Sequence, residues 1–187
     1  SQRLQEAAII RLSDLSVYAI EKKYDVNGEK TNYFTYLFLK CSGKLSPKSK
    51  LSIVSRAVES VQNNYYDESR QFEANMKAKN IIHEELEENG GFSVEQIADK
   101  IFEEKPDLKH EFQEKMEKYD MVHEEIKPQS EKTVRKYETQ VLKTDSGIEI
   151  KIPMKEYNDP SSVEFITGDD GSVSILIKNI GNIKAKI

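Results

Sequence analysis

Gly147-Ile148-Glu149-Ile150-Lys151-Ile152 alternates isoleucine with charged side chains. Successive side chains of a strand point to opposite faces, so this segment reads as a strand with one apolar face and one solvated face. Upstream the period is different. Leu51, Val54, Val58 and Val61 recur at the spacing that gathers side chains on one face of a helix. The change falls across the polar connection Lys127-Pro128-Gln129-Ser130. A chain that runs helical before this point and alternating after it is an α+β protein.

The helices carry their own start and stop signals. Ser46-Pro47 supplies an N-cap followed by proline at the first helical position, predicting a helix over residues 47 to 64. Asp67 caps a second helix carrying Phe72, Met76, Ile82 and Leu86, which stops at Asn89-Gly90-Gly91. Ser93 and Gln96 form a capping box ahead of Val94, Ile97, Ile101 and Phe102. This third helix is short, because Lys105-Pro106 ends it. Asp107 then opens a fourth, with Leu108, Phe112, Met116 and Tyr119 on one face.

Toward the start of the chain, Asn27-Gly28 is a two-residue hairpin signal with strands expected on either side. The run Tyr33-Phe34-Thr35-Tyr36-Leu37-Phe38-Leu39 is dense enough in apolar side chains to be a central strand buried on both faces, with a helix as the alternative. Toward the end, Val163-Glu164-Phe165-Ile166 faces Val173-Ser174-Ile175-Leu176-Ile177 across Gly168-Asp169-Asp170-Gly171. The expected architecture is therefore N-terminal strands or a hairpin, a group of about four helices, and a small C-terminal antiparallel β meander. The expected domains are a mixed strand and helical region over residues 1–127 and a β-rich region over residues 128–187 packed on it. The chain begins at Ser1 and enters apolar sequence within a few residues, which reads as the C-terminal fragment of a longer protein.

The residues that usually carry chemistry are not grouped. His83 is followed by Glu84-Glu85, yet the second histidine of the zinc-protease helix is missing, and His110 and His123 have no cysteine near them. Cys41 is the one cysteine, with no local histidine signature to make it a nucleophile. Asp169-Asp170-Gly171 lacks calcium-loop spacing, and no glycine-rich phosphate loop occurs. The run Glu84, Glu85, Glu87 and Glu88 reads as a solvated helix end. The expectation is a chain with no enzymatic activity, no catalytic residues, no cofactor and no metal.

Charge is distributed unevenly. The net charge is -5, so the whole surface is not built to coat nucleic acid. Residues 30 to 58, however, contain Lys30, Lys40, Lys44, Lys48, Lys50 and Arg56 and no acid, whereas residues 59 to 127 hold 19 acids against 9 bases. The first turn of the helix at Pro47 adds free N–H groups and a favourable dipole to its lysines. Lys40, Lys44, Lys48, Lys50 and Arg56 are therefore the candidate DNA phosphate contacts, reading charge rather than base sequence. The helix-turn-helix of residues 92 to 120 fits base reading poorly. Its second helix carries Asp107, Glu111, Glu114 and Glu117 and no arginine or asparagine.

Tyr33-Phe34-Thr35-Tyr36-Leu37-Phe38-Leu39-Lys40 with Gly43 shortly after, the following helix up to Val61, and Gly147-Ile148-Glu149-Ile150-Lys151-Ile152 together resemble the carboxy-terminal portion of the bacterial nucleoid-associated proteins of the NdpA (YejK-like) type. The resemblance covers nearly all of this chain and about the second half of a full member. It implies a cytoplasmic, nucleoid-located binding module that associates with DNA in chromosome organisation and has no catalytic residues or cofactor. The expected partners are DNA, held weakly and with sequence tolerance by the lysines at the helix start, other nucleoid proteins, and a second copy in a homodimer that multiplies a weak contact; no membrane is expected, because no run approaches the length of apolar residues that spans a bilayer. The alternative is a protein-interaction module whose acidic helices dock a basic partner while the missing N-terminal half binds DNA.

Overall fold

The computed structural model describes residues 6–15, 17–26, 29–40, 45–168 and 170–184. The chain forms two compact units, residues 1–45 and residues 46–187. The boundary expected at 127/128 lies within the second of these.

In the first unit, β1 (Ala7–Ile10) pairs antiparallel with β2 (Val17–Ile20), setting Ala7 opposite Ile20 and Ile10 opposite Val17. β3 (Tyr24–Val26) and β4 (Glu29–Thr31) form the expected hairpin, with Val26 opposite Glu29, so two residues separate the strands. Asn27 and Gly28, which carry that turn signal, lie outside the described residues. The apolar run that follows is helical rather than a buried strand. Phe34–Phe38 forms a π-helical turn in which the Leu39 N–H donates to Phe34 O at 2.9 Å. Helical coiling brings the rings of Phe34 and Phe38 into a stack with centroids 5.6 Å apart, while Phe38 remains 70% exposed. A short apolar run fits a strand and a helix equally well by period. The expectation of burial on both faces is not met at Tyr33 and Phe38, which are exposed, or at Phe34, Thr35 and Leu39, which are half-buried.

The second unit holds the core. α1 (Pro47–Tyr65) begins where Ser46 Oγ accepts from the Ser49 N–H at 3.2 Å, and it buries Leu51, Val54, Val58 and Val61 along one face. α2 (Glu68–Glu88) starts at Asp67, whose Oδ1 accepts from the Arg70 N–H at 3.1 Å, and buries Met76, Ile82 and Leu86. Gly90 ends it in the left-handed region at φ 66°, where a side chain would be strained. α3 (Val94–Ile101) is capped by Ser93, which accepts from the Gln96 N–H at 3.1 Å. α4 (Pro106–Glu117) contributes Leu108, Phe112 and Met116, packed with the apolar faces of α1 to α3 in one cluster.

Strands tie this helical group at its ends. β5 (Phe92–Ser93) pairs antiparallel with β6 (Glu125–Ile126), closing the α3–α4 segment between them. After α5 (Glu131–Val134), β7 (Thr139–Lys143) pairs with β8 (Glu149–Pro153), and Ile152 of the opening stretch is buried while Glu149 and Lys151 are exposed. α6 (Met154–Tyr157) leads to β9 (Val163–Thr167), which pairs with β10 (Val173–Ile177) in the expected hairpin. The chain is α+β. Its antiparallel pairs are separate two-stranded sheets rather than one continuous meander.

Candidate nucleic-acid interface

The first turn of α1 positions the candidate lysines by ordinary helix geometry. With Ser46 fixed as the cap, Lys48 points to solvent, and one turn further on so does Ser52, then Arg56. Positions eight apart on a helix stand about 80° apart around the axis and roughly 12 Å along it. Arg56 Nε donates to Ser52 O at 3.2 Å, which holds the guanidinium along the helix. No acid lies between Ser46 and Val58. Lys48 and Arg56 are thus two exposed cations within an acid-free stretch of α1.

Lys50 points the other way. Its side chain is only 16% exposed, and its Nζ donates to Glu124 Oε2 at 2.5 Å. Lys40 belongs to the first unit, exposed and at φ 49° just after the π-helical turn. Lys44 lies outside the described residues, as does Cys41. The structure therefore leaves Lys48 and Arg56 exposed on α1 and places Lys50 in an ion pair.

Further cations border α1 from a part of the chain the charge count passed over. Tyr137 Oη and Ser55 Oγ stand 2.7 Å apart, joining the segment after α5 to the middle of α1. Lys136 and Lys143 line a cavity there beside Ser55 and Glu59. Burial pushes the Tyr137 hydroxyl above the ordinary tyrosine range, against the pull of its bond to Ser55. Residues 127 to 155 hold seven bases against four acids, a milder local excess than that of the acid-free residues 30 to 58.

In the helix-turn-helix of α3 and α4, Lys100, Lys109 and Lys115 are engaged by acids. Lys109 is paired with Asp99, and Lys115 Nζ lies 3.4 Å from Glu111 Oε1. The histidines also face carboxylates: His83 Nε2 lies 3.3 Å from Glu87, His110 Nε2 3.5 Å from Glu114, and His123 Nδ1 2.9 Å from Glu95. Among the described residues no group of three or more His, Cys, Asp or Glu is placed to hold a metal ion. Among the same residues no helix is long and apolar enough to cross a membrane.

No curated protein and no solved structure matches this chain. The model of one family does, and it is described as that of the nucleoid-associated protein YejK. The match takes in Tyr33 to Lys40, the capped α1 up to Val61 and Gly147 to Ile152, the segments on which the sequence resemblance rests. With residues 1–184 matched, the chain belongs to the family of the nucleoid-associated protein YejK.

Proposed function

We propose that this chain is a non-catalytic, DNA-associated module that contacts phosphates without reading bases, with Lys48 and Arg56 supplying the contacts from α1. Lys40 and Lys44 are further candidates from the segment that leads into α1. Membership of a nucleoid-associated family supports association with the chromosome. The observation that carries the assignment to α1 is the exposure of Lys48 and Arg56 in a stretch of the helix, Pro47 to Val58, that holds no carboxylate, in a unit that holds 21 basic against 28 acidic residues. Elsewhere in that unit lysines such as Lys50, Lys109 and Lys115 are engaged by carboxylates.

A site of this size releases few counterions, so its affinity is weak and its log–log salt slope is shallow, about −2 for two phosphate contacts. A homodimer would double the contacts on one duplex and raise the effective affinity without any new chemistry. Other nucleoid proteins are natural partners for the acid-rich helices. The exposed Glu84, Glu87, Glu88, Glu103, Glu104 and Glu114 favour a second reading, in which α2 to α4 dock a basic partner.

Fluorescence anisotropy of the chain with a mixed-sequence duplex over a salt series tests the first reading. Lys48→Glu with Arg56→Glu should abolish retention at low salt, and Lys48→Gln with Arg56→Gln should flatten the log–log salt slope by about 2. Unchanged retention in the charge-reversed variant removes α1 as the contact. Failure of the unaltered chain to bind at low salt removes the phosphate reading and leaves the acidic face.

A further inference from the structure

The second unit contains a cavity of about 600 Å³ between α1, α2 and the strands β7 and β10. Its walls are hydrocarbon where Val58, Met76, Ile82, Leu142 and Ile175 face it. Small-molecule sites fall in the range of roughly 300–1,000 Å³, with mostly apolar walls and a few placed polar groups. Here the placed groups are cationic. Lys79, Lys136 and Lys143 line the cavity against one carboxylate, Glu59. Among the described residues none of these three lysines has a carboxylate ion-pair partner.

Lys79 is the informative member. It rises from α2, half-buried, and its Nζ donates to Thr139 O at 2.6 Å. Burial holds its ammonium below the ordinary lysine range, because charge is taken from water without a counter-charge in return. The bond to Thr139 uses one of three N–H donors. That bond alone does not explain why a lysine stands here, since β7 is already fastened to α2 by Gln140, whose Nε2 donates to Met76 O at 3.0 Å. A half-desolvated ammonium beside an apolar cavity, with two more lysines at the same space, is complementary to a molecule with a hydrocarbon body and a negative head.

We propose that this cavity binds a single-chain amphiphile with an anionic head, of the medium-chain alkyl carboxylate class, its carboxylate on Lys79 and its chain along the wall made by α1 and α2. Lys136 and Lys143, both exposed, draw the head toward the opening. The site is independent of the DNA reading, and neither stands or falls with the other.

Calorimetric titration of the full chain with dodecanoate, kept below its micelle concentration, tests the proposal with dodecanol as the uncharged control. The expected result is saturable one-site binding of dodecanoate that is about tenfold or more tighter than dodecanol, because the charge-assisted contact is lost with the head group. Lys79→Gln should weaken dodecanoate by about tenfold and leave dodecanol unchanged, while Lys79→Arg keeps most of the affinity. The chain has no tryptophan, so Val141→Trp on β7 places a single fluorescent reporter in the cavity lining, and its emission should shift as dodecanoate binds. Absence of saturable dodecanoate binding overturns the proposal. So does equal affinity for the two probes, an unaltered affinity in Lys79→Gln, or binding that leaves the reporter's emission unmoved.

Discussion

Lys50 Nζ donates to Glu124 Oε2 at 2.5 Å, linking the first turn of α1 to the residue just before β6. The pair divides the basic first turn by role. Lys48 keeps its charge in solvent, and Lys50 spends its charge on holding α1 against the strand pair that closes the α3–α4 segment. Lys50→Gln should therefore cost about 1 kcal/mol in urea unfolding, at the upper end for a partly exposed pair, with DNA retention unaltered. Lys48→Gln should do the reverse. A DNA defect in Lys50→Gln at unchanged stability would assign that lysine to the phosphate contact instead.

Tyr137 and Ser55 make the next join, with Oη and Oγ 2.7 Å apart. Ser55 Oγ also donates to Leu51 O at 2.9 Å, so Ser55 is free to accept from the tyrosine. Tyr137→Phe removes one partly buried hydrogen bond and keeps the ring packing. The expected loss is about 1 kcal/mol, measured by chemical unfolding. No change in stability would show that the contact is replaced by water at no cost.

Glu85 turns inward from the acidic end of α2. It is 2% exposed, accepts from Lys100 on α3, and accepts from Asn89 Nδ2 at 3.0 Å. Donation to Glu85, its negative charge, and the charges of Glu88 and Glu84 hold Lys100 above the ordinary lysine range. A lysine raised in the folded state contributes stability that is fully present below its unfolded pKa and lost as pH rises through its folded pKa. The unaltered chain should thus lose stability on the alkaline side of the ordinary lysine range, and Lys100→Met should lack that component. Thermal unfolding across alkaline pH checks this, and identical pH profiles for the two proteins would refute it.

These residues also mark where sequence reading stops. The caps at Ser46, Asp67 and Ser93 were legible, because each satisfies backbone N–H groups within its own turn, and local chemistry suffices to find it. The C-terminal hairpin was legible for the same reason, through alternation and turn residues. Tyr33 to Leu39 was not, since a short apolar run has no period that separates strand from helix, and the π-helical turn rests on i+5 hydrogen bonds such as that from Leu39 N–H to Phe34 O. Glu85 reads as solvated from its acidic neighbours in sequence, because its lysine partner lies on the next helix. Lys50 shows the same limit at the candidate interface: its neighbours in sequence are basic, and its neighbour in space is Glu124, 74 residues later. The pairing of β5 with β6 was missed because two-residue strands carry no alternation.

That β5–β6 pair gives a further test at two adjacent glycines. A Cβ on Gly91 would sit 2.3 Å from Ile126 O and 2.7 Å from Lys127 Cγ, so the strand pair can close only over a residue without a side chain. Gly90 has nothing within 4 Å of its Cβ position but holds φ 66°. The two positions therefore separate a steric demand from a conformational one. Gly90→Ala should cost about 1 kcal/mol, the strain of a left-handed residue with a side chain. Gly91→Ala has to move the Ile126 carbonyl, which is backbone and cannot swing aside, and should cost about 3 kcal/mol. Ile126 is fully buried in the main core, so the displacement reaches the apolar cluster as well. Urea unfolding gives both energies, and amide exchange at Phe92 and Ile126 locates the damage, with faster exchange expected in Gly91→Ala alone. Equal losses at the two glycines would mean that the close approach at Gly91 is not what holds β5 to β6.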